Sequence, residues 1–288
     1  MGKILEVNNL RKKYSNFALQ DISFSLESGY IMGFIGPNGA GKTTTIKLIM
    51  NLLSKDGGEI KVFGLDSVKD EIPIKEKLGF VYDQNYYYEE LTIAEMKRVV
   101  ASFYREWDDN LYHRYLQIFK LDENKKIKEL SRGMQMKFSL IMALSHNAEL
   151  LIMDEPTSGL DPLVRRELLD ILQEIIQDEN KSVFFSTHIT SDLDKIADFV
   201  TFINDGEIIM SKERDEIINN YGIVKGKKEL LKRSEAAKFI GVRENEYGFE
   251  ALTADKEKSR KELGKELVID KPTLEDILVF QIREKGVK

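Results

Sequence analysis

The 288-residue sequence predicts an α/β fold in two units, a large one over residues 1–221 and a small α/β one over residues 222–288. Three observations carry that reading. Short apolar strand candidates alternate with helical segments through the larger part, the pattern of a sheet with helices packed on it. A glycine-rich loop, Gly36-Pro37-Asn38-Gly39-Ala40-Gly41-Lys42-Thr43-Thr44, stands between one such strand and one such helix. Near residue 222 the composition turns lysine-rich and a fresh set of short elements begins.

Taken in order, the residues before the loop alternate, with Ile22, Phe24 and Leu26 on one face, and predict antiparallel β-structure. Tyr30 to Ile35 is a buried strand running into the loop, and Thr44 to Met50 is the helix leaving it. Short strands follow at Ile60 to Phe63 and Leu78 to Tyr82. From Thr92 to about Lys128 neither Pro nor Gly interrupts, and Thr92 with Glu95 forms a capping box, so the stretch predicts helix. A second helix starts at Ser131, and together they make a helical insertion at about residues 88–148. Leu150 to Met153 is a buried strand, and Pro162 opens the helix after it. Ser182 to Ser186 is another strand, and Phe199 to Met210 a hairpin turning at Asn204-Asp205-Gly206.

In the tail a lysine-rich helix from Lys227 to Phe239 reads as a solvated face. Strand candidates Ile240 to Arg243, Tyr247 to Thr253 and Val268 to Asp270 follow, separated by a charged stretch. A final helix opens at Pro272-Thr273 and carries Leu274, Ile277, Leu278 and Ile282 on one face. Two readings of that stripe stay open. It meets a second copy of the chain, making the tail an accessory dimerisation domain, or it packs back onto its own strands.

Composition narrows the function. A net charge of -6 argues against extended contact with nucleic-acid phosphates. The absence of cysteine excludes disulfides and thiolate metal sites and suits a reducing cytoplasm. The N-terminus has no apolar leader, and the most apolar stretch, Phe138 to Met153, is broken by His146, Asn147 and Glu149. If this protein works at a membrane, another chain does the spanning.

The loop matches G-x-x-x-x-G-K-[ST], and each part has a physical job. The glycines let backbone N–H groups turn toward phosphate oxygens, Lys42 reaches the β- and γ-phosphates, and Thr43 offers a hydroxyl to Mg²⁺. This predicts a nucleoside triphosphate site. Further along, Leu150-Leu-Ile-Met-Asp-Glu155 is an apolar strand ending in two carboxylates. There Asp154 can hold Mg²⁺ and Glu155 can orient or deprotonate a water. Gln84 lies just past a strand end and can give a neutral oxygen to metal or water. His188 follows the strand Ser182 to Ser186 and can contact γ-phosphate and the attacking water. In Leu130-Ser131-Arg132-Gly133-Met134-Gln135, a Ser and a Gly stand at a helix N-terminus, a second place for an anion.

Together these motifs resemble the ATP-binding cassette (ABC) ATPases over residues 3 to 215. In that resemblance Gly36 to Thr44 is Walker A, Gln84 the glutamine loop, Leu130 to Gln135 the signature, and Asp154-Glu155 the end of Walker B. Ser158 to Asp161 is the D-loop, with Asp161 a link between subunits, and His188 is the switch histidine. Tyr14 is placed like the adenine-stacking aromatic. The resemblance implies a RecA-like P-loop core with an antiparallel β subdomain and a helical subdomain. It also implies ATP hydrolysis with Mg²⁺. Two cassettes would pair head to tail, each ATP lying between Walker A of one and Ser131 and Gly133 of the other. Glu155 would be the general base, with Lys42, Gln84 and His188 around the γ-phosphate. One departure stands out: the family's LSGGQ reads Leu-Ser-Arg-Gly-Met here, which puts the polar contacts of the fifth position in doubt.

The resemblance further implies a subunit that drives an integral membrane partner from the cytoplasmic face. The signature and the tail look like bacterial exporters of drugs, antibiotics or peptides with a separate membrane subunit. Import is the alternative, although importers of the maltose kind carry a longer regulatory tail. A soluble cassette of DNA maintenance is the other class, but this chain lacks the long heptad insertion or zinc cysteines of those relatives. The second cassette is a copy of this chain or a different one. Asn85-Tyr86-Tyr87-Tyr88-Glu89-Glu90 is either a docking surface for the membrane partner or an exposed loop cluster.

Overall fold

The computed structural model describes residues 2–83, 86–233, 239–263 and 267–286. Gln84 and Asn85 therefore lie outside the described residues. Strands β1 (Lys3–Lys13) and β2 (Ala18–Glu27) form the expected antiparallel pair, and the alternation on β2 buries Leu19, Ile22, Phe24 and Leu26. Strand β3 (Ile31–Ile35) runs into the glycine-rich loop and helix α1 (Lys42–Ile49) leaves it. Strands β4 (Gly57–Val62) and β5 (Leu65–Asp66) complete a four-stranded sheet in the order β2-β1-β4-β5. Helix α2 (Glu71–Glu76) leads to β6 (Leu78–Val81).

The stretch expected to be helical from residue 92 to 128 is broken. It forms α3 (Ile93–Ala101), α4 (Asp109–Phe119) and a single 3₁₀ turn, Ile127–Glu129. The capping box is real, with Thr92 Oγ1 accepting from the Glu95 N–H at 3.2 Å and Glu95 accepting from the Thr92 N–H at 2.8 Å. The break comes from a second cap, Asp108, which accepts from the N–H groups of Asn110 and Leu111 and starts α4 afresh. Lys120, at a positive φ of 54°, closes α4. Helix α5 (Arg132–Leu144) starts at Ser131 as expected.

Strand β7 (Leu150–Asp154), helix α6 (Pro162–Ile175), strand β8 (Ser182–Thr187) and helix α7 (Thr190–Ile196) follow. The hairpin β9 (Phe199–Asn204) and β10 (Glu207–Glu213) turns through Asp205 and Gly206, both at positive φ. The central sheet has the order β10-β9-β3-β8-β7-β6, parallel except at the β10 edge. Its central strands β3, β7 and β8 are buried on both faces, as their continuous apolar runs demand. On β3, Met32 and Phe34 face the antiparallel sheet, where Phe24, Phe34 and Phe184 pack ring to ring at 5.4–5.6 Å. Ile31 and Ile35 face the opposite way, toward a core that includes residues of α5, α6 and α7.

After α8 (Arg214–Asn220) comes β11 (Gly222–Gly226), a strand where the sequence predicts only the boundary between units. Helix α9 (Lys228–Arg233), strands β12 (Ile240–Glu244) and β13 (Phe249–Thr253), helix α10 (Lys256–Leu263), strand β14 (Val268–Asp270) and helix α11 (Leu274–Gly286) complete the chain. The tail sheet is antiparallel, β12-β13-β11-β14. The stripe on α11 meets its own chain. Leu274, Ile277 and Phe280 are buried against β12 and β13 on one side and α7 on the other, in one core with Leu193, Ile196, Ile223 and Leu252. The Leu274 N–H also donates to the Asp194 carboxylate, fastening α11 to α7.

Candidate nucleotide site

Parallel pairing sets the site. Strands β3, β8 and β7 lie side by side in register, Ile35 against Thr187 and Asp154 against Ser186, so their C-terminal ends finish together. Chain segments leaving those ends therefore converge on one crevice. From β3 comes the glycine-rich loop. Gly36 has no alternative there, since a Cβ would stand 2.1 Å from the Ile203 carbonyl oxygen. Gly41 sits at φ +110°, with Leu19 and Phe17 closed over its α-carbon. Pro37 and Ala40 form the turn itself through a 3.2 Å backbone bond.

Lys42 starts α1 and is almost fully buried. Its ammonium donates to the Gly36 and Pro37 carbonyls at 2.7 and 3.2 Å and pairs with Glu155 Oε1 at 3.1 Å. Glu155 follows β7 at a φ of +49°, a conformation that aims its carboxylate back across the strand ends. Its other oxygen, Oε2, accepts from the His188 backbone N–H at 3.3 Å and lies 2.7 Å from His188 Nδ1. An ionised carboxylate only accepts, so Nδ1 carries the hydrogen and Nε2 is left for whatever enters the crevice.

Behind this row lies Asp154, buried, with Ser186 Oγ donating to Oδ1 at 2.6 Å and the Thr43 hydroxyl bonded to the same carboxyl. Burial pushes its pKa above the usual carboxylate range, against the pull of those two hydrogen bonds. The Glu155 N–H donates to the same Ser186 oxygen at 3.0 Å, so one serine holds both carboxylate residues in place. A carboxylate and a hydroxyl facing one another, with phosphate oxygens and water to complete the shell, form a donor set that suits Mg²⁺.

These groups line an open cleft of about 810 Å³. Asn38, Gly39, Gly41, Lys42, Thr43 and Thr44 form one wall, and Glu155, Ser158 and His188 another. Phe17 and Asn16 close it from the β1–β2 hairpin, Asp205 from the β9–β10 turn, and Asp83 from beyond β6. Tyr14 is not part of the lining. It sits on the same hairpin, its N–H bonded to the Phe17 carbonyl at 2.8 Å, 41% exposed and with Lys12 over its ring. Phe17 presents the aromatic surface to the cleft instead. Ser131 and Gly133 are not brought into this cleft either. They line a second concavity of about 320 Å³ with Met134, Lys137 and Asp161. Ser131 caps α5 there, and Asp161 caps α6 by accepting from Leu163 and Val164 N–H at 3.1 Å. Arg132 is shared by both concavities.

Away from the cleft, Tyr86 and Tyr88 are exposed, whereas Tyr87 packs edge-on against Phe138. Of the other histidines, His146 is buried and stacked on Tyr104 and His113 bonds its own helix, so neither joins the site. Among the described residues no helix is long and apolar enough to cross a membrane.

Comparison with known proteins places the chain among relatives. Residues 19–158 match the family model described as ABC transporter. The chain is 32% identical over 212 residues to the bacitracin transport ATP-binding protein BcrA of Bacillus licheniformis, covering 73% of this chain and 69% of that one. It is 31% identical over 225 residues to the lantibiotic transport ATP-binding protein SrtF of Streptococcus pyogenes, covering 75% and 96%. Among solved structures, an ATP-binding subunit of an ABC transporter superposes with a TM-score of 0.68 at 29% identity, over 75% of this chain and 92% of that one. A dimeric cassette in a post-hydrolysis state with ADP and Pi shares the fold, with a TM-score of 0.64 at 22% identity over 73% and 98%. With relatives this similar over most of its length, this protein belongs to the ATP-binding cassette family of transporter ATPases, which bind ATP with Mg²⁺ and couple its hydrolysis to transport.

Proposed function

We propose that this chain powers export of a peptide-like antibiotic or related drug through a separate integral membrane subunit, which holds it at the cytoplasmic face of the membrane. The observation that carries the reading is the Lys42–Glu155–His188 row at the mouth of a phosphate loop, in a chain whose relatives are ATP-binding proteins of bacitracin and lantibiotic transport. Lys42 holds the β- and γ-phosphates, exchanging its two loop carbonyls and Glu155 for phosphate oxygens. Glu155, released from Lys42, takes the proton of the attacking water, and His188 donates a ring N–H to a γ-phosphate oxygen. Gln84 completes the water's surroundings. Thr43 and Asp154 would hold Mg²⁺, which would supply charge neutralisation at the phosphates. Asn38, Gly39, Gly41 and Thr44 turn backbone N–H groups to the phosphates, supported by the turn of Gly36, Pro37 and Ala40.

Ser131 and Gly133 serve the ATP of a second cassette, with Asp161 beside the shared boundary. Residues 1–221 form the nucleotide unit, with the helical subdomain at about 88–148, and 222–288 an accessory unit. The burial of Leu274 and Ile277 within the chain favours bracing of α7 as its role over pairing of copies. A strain lacking this chain should become sensitive to bacitracin or to a lantibiotic. Wild-type protein should restore growth and the Glu155→Gln variant should not. Unchanged sensitivity to both drug classes would remove peptide antibiotics from the proposal.

A further inference from the structure

Arg132 stands where the family signature has glycine, and its side chain does not point the way its backbone neighbours do. Ser131 and Gly133 line only the smaller concavity, while Arg132 also lines the nucleotide cleft of its own chain. It gets there by lying across the backbone after Ser158. A Cβ built at Gly159 would stand 2.2 Å from Arg132 Nη1 and 2.6 Å from Cζ, and Gly159 itself sits at φ +68°. The guanidinium thus crosses the ridge between the two concavities, beside the backbone of Gly159.

The charges in the cleft give this position its meaning. Its lining carries the acids Asp83, Glu155 and Asp205 against the bases Lys42 and Arg132 and the imidazole of His188, whose Nδ1 is engaged by Glu155. Lys42 is already paired with Glu155. Arg132 makes no ion pair among the described residues and is exposed. It is the cleft's unspent cation, and guanidinium suits the oxygens of a terminal phosphate, which it can grip with two parallel N–H bonds.

We infer that Arg132 binds the terminal phosphate of the nucleoside triphosphate held in its own chain, and so distinguishes ATP from ADP before two cassettes close. The inference rests on the reading of the cleft as the ATP site. It assigns the signature arginine to the same subunit's nucleotide, whereas Ser131 and Gly133 face a partner's.

The test is calorimetric titration of the full chain with ADP and with a non-hydrolysable ATP analogue, at concentrations where sedimentation shows monomer. Arg132→Ala should lower affinity for the triphosphate about tenfold, the scale of one charge-assisted hydrogen bond, and leave ADP affinity unchanged. Arg132→Lys should recover part of the loss. Retained ADP binding reports that the variant is folded. Equal triphosphate affinity in wild type and Arg132→Ala would overturn the inference, as would equal loss for both nucleotides. A loss seen only when dimers form would overturn it too, by moving the contact to the partner's site. Lys42→Ala serves as the separate check on the cleft: if it weakened neither nucleotide, the site reading would fall and the inference with it.

Discussion

Lys42 Nζ stands 3.1 Å from Glu155 Oε1, with both side chains largely buried. The two side chains proposed as phosphate clamp and hydrolytic base are thus held against each other. The pair keeps a buried ammonium neutralised, which it needs, since an unpaired charge there would carry a heavy desolvation penalty. It also means that nucleotide entry must separate the two. On the proposed mechanism, binding the γ-phosphate to Lys42 and freeing Glu155 for water are then one event.

Replacing Glu155 with Gln should separate binding from turnover. The amide keeps the shape and the contact with the His188 backbone N–H, but it is no base, and it releases Lys42 from its ion pair. Phosphate release should fall at least about 100-fold while ATP affinity stays the same or rises. A turnover rate within about threefold of wild type would contradict the assignment.

Asp154→Asn should make the protein more stable and less active. Burial raises the Asp154 pKa despite the Ser186 and Thr43 hydrogen bonds. A carboxyl whose folded pKa lies above its unfolded value makes the folded state bind the extra proton. Stability therefore falls as pH rises through that interval and stays lower above it. The Asn variant, free of that cost, should melt higher than wild type at pH 7 without nucleotide or metal. The difference should shrink as the buffer is acidified toward the range where the wild-type carboxyl is protonated. Mg²⁺-dependent hydrolysis should drop by about 100-fold or more, because the charge that holds the metal is gone. An Asn variant that melts lower at pH 7 would refute the account.

Ser131→Arg probes the second concavity. The side chain caps α5 and is exposed, so a bulky cation there leaves the chain's own phosphate loop untouched. Monomeric ATP binding should be normal, whereas ATP-driven dimers, followed by light scattering in the Glu155→Gln background, should not form. Turnover in the otherwise wild-type chain should fall about 100-fold. Normal dimerisation would refute a shared site.

Ile277→Ala should destabilise the entire chain and not the tail alone. Ile277 is fully buried in a core that runs without a gap from α11 into α7. Deleting its outer atoms should cost about 2–5 kcal/mol in denaturant unfolding. Unfolding should remain one transition by both near-UV and far-UV signals. Two separated transitions would mean that the tail folds on its own.

The legible parts of the site were those set by local rules. The glycines, Lys42 and Thr43 occupy fixed places in one loop, and Asp154 and Glu155 end an apolar strand. Capping chemistry located Thr92, Ser131 and Pro162 for the same reason. What escaped depends on backbone turns that side-chain type does not announce. Lys120 ends α4 at a positive φ, a position usually left to glycine, and no Pro or Gly marks the gap before Asp108. Yet Asp108 is itself a capping residue, a signal that was available. Between Tyr14 and Phe17 the choice of cleft aromatic follows the path of a hairpin, and spacing alone cannot make it. The reach of Arg132 depends on Gly159, remote in sequence. Strand β11 was hidden because its bounding glycines look like a linker, although it lies between β13 and β14 at the heart of the tail sheet.

The seam between α11 and α7 also limits how such proteins can be recombined. Helix α7 begins two residues after His188, and its outer face is covered by Leu274 and its neighbours. Exchanging tails between relatives would therefore create an orphan surface beside the histidine unless the matching residues of α7 travelled with the graft. Diversification of the tail is tied, residue by residue, to a helix in the engine, and the two halves of this seam must drift together.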